Sequence, residues 1–372
     1  MRAPAILRHG IVAGAILFFV SCSSLVDDVP DQPEFLSVND DGSRFEGDAE
    51  LYKQNAIAFY DAGDYYRARN QFKKILKTQP DDAVAKGGYA YCCYSIGFNE
   101  AAFGNFNGGA KNLIIAERTF ESLYSGELPA STADGTGREW RNALGLAMTW
   151  RALASLDKMR SDSIDRVLGE GGARNGDKLL AEQKKRDLRR RDLNQKSLEL
   201  FRRLATMEYA APDAILNQGD LELIVGNTNA SLRAYERYLS VARKNIENWD
   251  RRLEEWPEQY ASDKYALEAQ KAINGKRSAA VSKAVDVLTQ VAEVHYAASN
   301  YADSLALLTE AAELNPRRVA LNVPIAECYE RLGEPKEALR HIEAYIKSNP
   351  EIDDNTRRAY RLRARVQSDL GS

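Results

Sequence analysis

The chain has 372 residues, with 51 Lys and Arg against 54 Asp and Glu, three His and four Cys. Apolar residues make up 44% and charged residues 28%, a folded composition; a disordered chain carries fewer apolar groups and more net charge. A formal charge of −3 argues against a general nucleic-acid binder, which needs a basic footprint, and so few His and Cys argue against a metal site built from them.

Residues 1–10 carry Arg2 and Arg8 and no acid, and residues 11–20 (IVAGAILFFV) are an unbroken apolar run. Small residues follow: Ser21, Cys22, Ser23 and Ser24. A basic start, a short apolar core and small residues read as a signal peptide over 1–21. Ten residues make about 15 Å of helix, half a bilayer core, so a permanent transmembrane helix is the weaker reading. Phe19-Val20-Ser21-Cys22 resembles a bacterial lipobox, in which the Cys receives lipid and becomes the new N-terminus; Phe19 stands where such boxes usually have Leu. Ordinary secretion with cleavage nearby is the alternative. Ser rather than Asp after the Cys implies the outer membrane under the sorting rule of diderm lipoproteins, with inner-membrane anchoring or secretion as alternatives. Cleavage before Cys22 leaves 351 residues with a formal charge of −5. Residues 22–48 then read as an acidic flexible tether, with eight acids, Arg44 as the single base, Pro30 and Pro33. Its r.m.s. reach is about 25–30 Å.

A first helix pair is marked by Ala56, Phe59, Gly63, Ala68, Phe72, Ile75 and Pro80. A second begins near Ala83, with Ala90, Cys93 and Gly97; its second helix reads as displaced to 111–124 (Ala116, Phe120, Leu123), behind an insertion at about 98–110. The third starts at Arg138 (Trp140, Leu144, Gly145, Met148) and resumes with Ser197, Phe201 and Leu204. Between them an insertion at about 157–193 holds the glycine-rich loop 169–176 and a helix from about 178 to 208. Lys184, Lys185, Arg186, Arg189, Arg190 and Arg191 lie on that helix. They read either as a solvated face or as a basic patch for an acidic partner or lipid headgroups.

The fourth pair spans about 212–238, with Gly219, Gly226, Ser231 and Tyr235. Leu232, Tyr235, Leu239, Ala242, Ile246, Trp249, Leu253 and Trp256 then recur at 3-4 spacing, a heptad stripe that Pro257 interrupts. A return helix over about 262–299 carries Val281, Ala284, Leu288, Val291 and His295 at the same spacing. This predicts an antiparallel hairpin inserted at about 240–284, projecting from the body with Trp249, Leu253 and Trp256 near its tip. A helix pair packed flat on the body, its tryptophans closing the seam, is the alternative. The fifth pair has Val291, Ala292, His295, Ser299, Ser304, Leu308, Ala311 and Pro316. The sixth has Ile325, Ala326, Tyr329, Gly333, Ala338, Ile342, Tyr345 and Pro350, and the two prolines stand 34 residues apart.

The copies ending at Pro80, Pro316 and Pro350 resemble the tetratricopeptide repeat (TPR), a helix–turn–helix of 34 residues. Small residues such as Ala56 and Ala68 let two helices approach, large ones such as Phe59 and Phe72 fill the space between, and Gly63 and Gly333 stop the first helix. The resemblance covers about four-fifths of the chain. It implies an all-α TPR solenoid of about six helix pairs over 49–350, two extended helical-hairpin insertions, and a capping helix in 351–372 that covers the apolar end. In this repeat the turns within pairs line one edge and the turns between pairs the other. The 98–110 and 157–193 insertions therefore belong to one edge and 240–284 to the opposite one. The resemblance further implies a concave groove built by the first helix of each pair, with Ile57, Tyr60, Tyr91 and Tyr94 at an aromatic end and Asp286, Glu293, Glu327 and Glu330 at an acidic end. The clamp for a C-terminal carboxylate found in chaperone-tail-binding TPRs is not matched: Lys53 is present, but Ile57 follows and acids come later.

No P-loop, GxSxG elbow or HExxH pair is present, so the chain reads as a non-enzyme with no cofactor, no metal and no small-molecule substrate. His295 takes a core-facing place and His341 reads as exposed; Cys92, Cys93 and Cys328 read as buried thiols. The expected function is a lipid-anchored periplasmic scaffold for envelope proteins, held to the membrane through Cys22. It resembles lipoproteins that assist barrel assembly or pilot secretin pores. A non-catalytic recruiter of a peptidoglycan synthase or protease, and an uptake subunit docking a substrate-binding protein, are the alternatives.

Overall fold

A computed structural model describes residues 49–128, 138–169, 176–207, 211–256, 264–348 and 353–371. The signal peptide, the lipobox with Cys22, the tether, Pro257 and Pro350 lie outside the described residues. Within them the chain is α-helical, without a strand. The helices are α1 (Ala49–Asp61), α2 (Tyr65–Thr78), α3 (Ala83–Ala102), α4 (Phe106–Leu123), α5 (Arg138–Gly169), α6 (Gly176–Ala205) and α7 (Pro212–Ile224). There follow α8 (Thr228–Glu254), α9 (Lys264–Ala297), α10 (Tyr301–Leu314), α11 (Asn322–Leu332), α12 (Pro335–Ser348) and α13 (Asp354–Gly371). They form two compact units, divided between Ser231 and Leu232.

In the N-terminal unit each helix from α1 to α7 packs on the next, and α1 reaches α3 as α3 reaches α5. One turn recurs within the pairs. Asp64, Asn105 and Asn227 each donate the backbone N–H to the carbonyl five residues back, at 2.8, 2.8 and 2.7 Å. Asn300 and Glu334 do the same in the C-terminal unit, both at 2.9 Å. The residue before each donor has positive φ: Gly63, Gly104, Gly226, Ser299 and Gly333. This left-handed ending satisfies the last carbonyls of the first helix and turns the chain back. Asp64 and Asn105 then cap the second helix, accepting from the N–H of Arg67 and of Gly108.

Joints between pairs use a ring against a glycine. The Phe72 ring occupies the space where a side chain on Gly88 would stand, and the Phe120 ring does the same at Gly145. Both phenylalanines are buried, Phe120 completely.

Helix lengths differ from the spacing-based reading in one place. The segment 98–110 is not a separate insertion ahead of a displaced helix: α3 runs to Ala102 and α4 starts at Phe106, after a three-residue turn. Both helices of the pair are long, with 20 and 18 residues against 13 and 14 in the first pair. They touch backbone to backbone, since a Cβ on Gly97 would lie 2.9 Å from the Gly109 carbonyl oxygen.

The other two lengthened pairs are helical hairpins. Past Leu156, α5 faces α6 through Asp157–Arg186, Ser161–Asp187 and Asp165–Gln183, an antiparallel ladder. Among described residues between Ser161 and Leu193 of this arm no side chain is buried, so polar contacts hold its seam. In the C-terminal unit, α8 and α9 meet antiparallel through Tyr235–Gln290, Asp250–Arg277 and Trp249–Lys276. Arg243 forks onto Glu310 of α10 at 2.7 Å, tying the base of this hairpin to the next helix. Helices α9 to α13 pack in succession, and α13 covers α12 with Thr356, Ala359, Leu362 and Val366. Its outer side carries Arg357, Tyr360 and Arg361 to solvent, as a terminal helix must.

Candidate protein-binding site

The first helices of the pairs carry the residues named for a groove. In the N-terminal unit Ile57 is half-buried. The Tyr60 hydroxyl lies 3.2 Å from Ser95 Oγ, and its ring centroid 5.0 Å from that of Tyr65. Tyr91 sets its ring edge-on against Phe120 and donates to the Arg141 carbonyl at 2.6 Å. Tyr94 lies beside Phe98, centroids 6.0 Å apart. Tyr60 and Tyr91 therefore join neighbouring helices, whereas the Tyr94–Phe98 contact lies within α3; all three present only part of each ring to solvent.

The acidic residues of the C-terminal unit are brought together with arginines that the sequence reading did not assign to them. Arg318 pairs with Asp286, Arg358 forks onto Glu327, and Arg365 forks onto Glu330 at 2.8 and 3.0 Å. The acidic end is thus an arginine–carboxylate ladder across α9, α11 and α13. Glu293 stands apart: among described residues no cation lies within 4 Å of it. Glu293 is exposed, yet partial loss of water raises its carboxyl pKa, with Arg358 acting the other way. A raised carboxyl pKa means the charged form weakens the fold at neutral pH, and the penalty disappears as pH falls through the carboxylate range. Glu293→Gln is therefore expected to raise the melting temperature at pH 7 and to leave it unchanged at pH 3. Calorimetry at the two pH values checks this.

A second set of ion pairs, on buried carboxylates, lies in the N-terminal unit. Arg151 of α5 donates to Asp220 of α7 at 2.6 Å, and Arg202 of α6 forks onto the buried Glu222 at 2.7 and 2.8 Å. The Arg202 bonds hold the Glu222 carboxyl below its ordinary range against the cost of burial. Sequence reasoning missed both pairs.

The six basic residues of α6 divide into two groups. Arg186 pairs with Glu182 and Asp157, Arg189 lies 3.7 Å from Asp157, and Arg190 lies 3.3 Å from Asp187. Arg186 and Arg189 thus reach across the seam of their own arm, while Arg190 pairs within α6. Lys184, Lys185 and Arg191 are exposed, and among described residues none has a carboxylate within 4 Å. At the other hairpin, Trp249, Leu253 and Trp256 are half-buried. Arg252 and Lys276 lie over the Trp249 ring at 4.9 and 5.6 Å, so this tryptophan is engaged by its own hairpin. His295 is half-buried, 3.7 Å from Asp303. His341, read as exposed, is instead half-buried: it bonds Asn322 at 2.8 Å and stacks on Tyr329, because α12 turns that face toward α11. Cys92, Cys93 and Cys328 are buried free thiols whose pKa values burial raises, which keeps them unreactive.

Among the described residues no group of three or more His, Cys, Asp or Glu is placed to hold a metal, and no helix is long and apolar enough to cross a membrane.

Models of the tetratricopeptide repeat match residues 54–108 and 295–366. The fold is an all-α helical-repeat solenoid of that type. A thermophilic TPR protein of Thermus thermophilus aligns at 14% identity over 87% of this chain and all of its own, with a TM-score of 0.27. An assembly chaperone of RpL4 aligns at 12% identity, covering 87% of this chain and 97% of its own, with a TM-score of 0.33. A two-repeat-domain fragment of yeast Sti1 in complex with an Hsp90 peptide aligns at 14% identity over 86% and 98%, with a TM-score of 0.24. A search of curated proteins found no match. Repeats of this type mediate protein–protein interaction and are typically non-catalytic.

Proposed function

We propose that the chain is a lipid-anchored scaffold on the periplasmic face of the outer membrane, where it holds envelope proteins together while a complex assembles. The observation that supports binding is the ladder on α9, α11 and α13. Three ion pairs, two of them bidentate, stiffen a surface of first helices between repeats. The side chains of Arg358 and Arg365 remain 53% and 59% exposed, with Glu293 nearby on α9. Such a surface suits a partner segment of mixed charge rather than a purely basic one, because most of its carboxylates are already matched. The sequence Phe19-Val20-Ser21-Cys22 supports the anchor.

Two measurements test the reading. Cys22→Ala is expected to lose fatty-acid labelling and to move from the membrane to the soluble fraction of cells; unchanged membrane retention would sink the anchor. A photo-crosslinking residue at position 293 in living cells is expected to capture an envelope protein. No capture there or at position 60 would remove the scaffold role from these surfaces.

A further inference from the structure

Beside its seam the α5–α6 arm presents a stripe of α6 whose apolar and basic side chains the seam does not engage. Leu180, Lys184, Leu188 and Arg191 recur at spacings of four, four and three, so they share one side of α6. With Gln183 and Asp187 they line one shallow depression. Leu180 and Leu188 are 51% and 58% exposed. Lys185 adds a third unmatched cation beside Lys184 and Arg191. Residues 157–193 together carry a net charge of +3, in a chain whose total is −3.

Arg160 of α5 donates to the Phe106 carbonyl at 2.7 Å and to Asn107 Oδ1 at 2.9 Å, which fixes the arm against the α3–α4 turn on the side of α6 that carries Glu182 and Arg186, away from this stripe. Exposed apolar side chains interleaved with unpaired cations are the pattern of a surface that lies on anionic headgroups: the cations meet phosphates and the apolar groups enter the acyl boundary.

We propose that the stripe of Leu180, Lys184, Leu188 and Arg191 on α6 rests on an anionic phospholipid surface. The occupant follows from charge complementarity and from chain length. Residues 23–48 separate Cys22 from Ala49, and if they act as the tether expected from their composition they reach about 25–30 Å. The arm extends about 20 Å beyond Leu156. A lipid on Cys22 keeps α1 to α7 close enough to the bilayer for the arm to touch it. The proposal rests in this respect on the membrane-anchored reading, but its test does not use the anchor.

The protein with Cys22→Ala, which carries no lipid, is mixed with vesicles of phosphatidylcholine alone or with one part in three phosphatidylglycerol, and sedimented at low and high salt. Binding is expected to the anionic vesicles only, and to be lost at high salt. Lys184→Glu/Lys185→Glu/Arg191→Glu is expected to weaken it by about a hundredfold or more, at about fivefold or more per cation. Leu188→Ser is expected to weaken it several-fold. All four positions are exposed, and an unchanged melting curve confirms that the variants fold. No binding to anionic vesicles, equal binding to neutral ones, or unchanged binding of the triple variant would overturn the proposal. So would capture of an acidic helical protein by this face in the absence of vesicle binding. Membrane retention of the acylated chain in cells is a separate result and reports only on Cys22.

Discussion

Phe120→Ala is expected to lower the unfolding free energy by about 3–5 kcal/mol. The ring is fully buried, and its atoms lie within 2.4–2.8 Å of the position a Gly145 Cβ would take. It is therefore a knob from α4 seated in the gap that Gly145 leaves on α5. Tyr91 of α3 rests edge-on against it at 4.9 Å, so truncation loosens three helices at once. Urea denaturation followed by circular dichroism measures the loss. Two further variants separate packing from other causes. Phe120→Leu should cost about 1–2 kcal/mol, because most of the volume survives. Gly145→Val should damage the wild type by overpacking but recover part of the loss in the Phe120→Ala background, since its side chain enters the vacated space. Additive effects of the two changes would show that ring and glycine do not share one site.

The second large effect concerns a methyl group. Gly97→Ala is expected to destabilise the protein by about 1–3 kcal/mol, the ordinary cost of overpacking. Its Cβ would lie 2.9 Å from the Gly109 oxygen and from the Leu113 nitrogen, both backbone atoms that cannot swing aside. Gly109→Ala meets the Gly97 oxygen at 2.8 Å and should behave alike. The sign is the informative part, because alanine in place of a helical glycine normally gains about 0.5–1 kcal/mol. Gly275 of α9 supplies the contrast, with no heavy atom within 4 Å of the point where a Cβ would stand. Gly275→Ala should stabilise by about that amount. Opposite shifts in the urea midpoints of the two variants check the argument, and shifts of the same sign would contradict it.

The repeat frame was legible because it is written locally. Ala56, Ala68 and Phe72 in the first pair, and Ala338, Ile342 and Tyr345 in the last, are all buried where the 34-residue pattern places them. Gly63 and Gly333 both take φ of 78° where the first helix was expected to stop. The hairpins of α5–α6 and α8–α9 were also readable, the second from its heptad stripe. The length of α4 was not. Gly108 and Gly109 look like loop residues in sequence, but Gly109 is what lets α4 begin early and lie against α3.

The arginine ladder escaped for a different reason. Asp286 meets Arg318, Glu327 meets Arg358, and Glu330 meets Arg365, at separations of 32, 31 and 35 residues. Tyr66 meets Glu100 at 34, and Tyr296 meets Arg331 at 35. A search for complementary side chains one repeat ahead would have found these pairs. A search within each helix, at three and four residues, cannot. Candidate groove residues chosen only for their place on a first helix therefore included several whose charge is already matched.

Contacts spaced by one repeat make each pair a ruler for its neighbour. A single residue inserted in α10 or in the segment before α11 would shift Arg318 against Asp286, and the slip would pass to every later joint. Residues added at the turn of a hairpin have no such effect, because both helices grow outward past the last joint and return in phase. This accounts for where the extra length of this chain resides: α5 and α6 have 32 and 30 residues, α8 and α9 have 27 and 34, while α11 and α12 have 11 and 14. Changes in chain length are tolerated along the arms and forbidden between them.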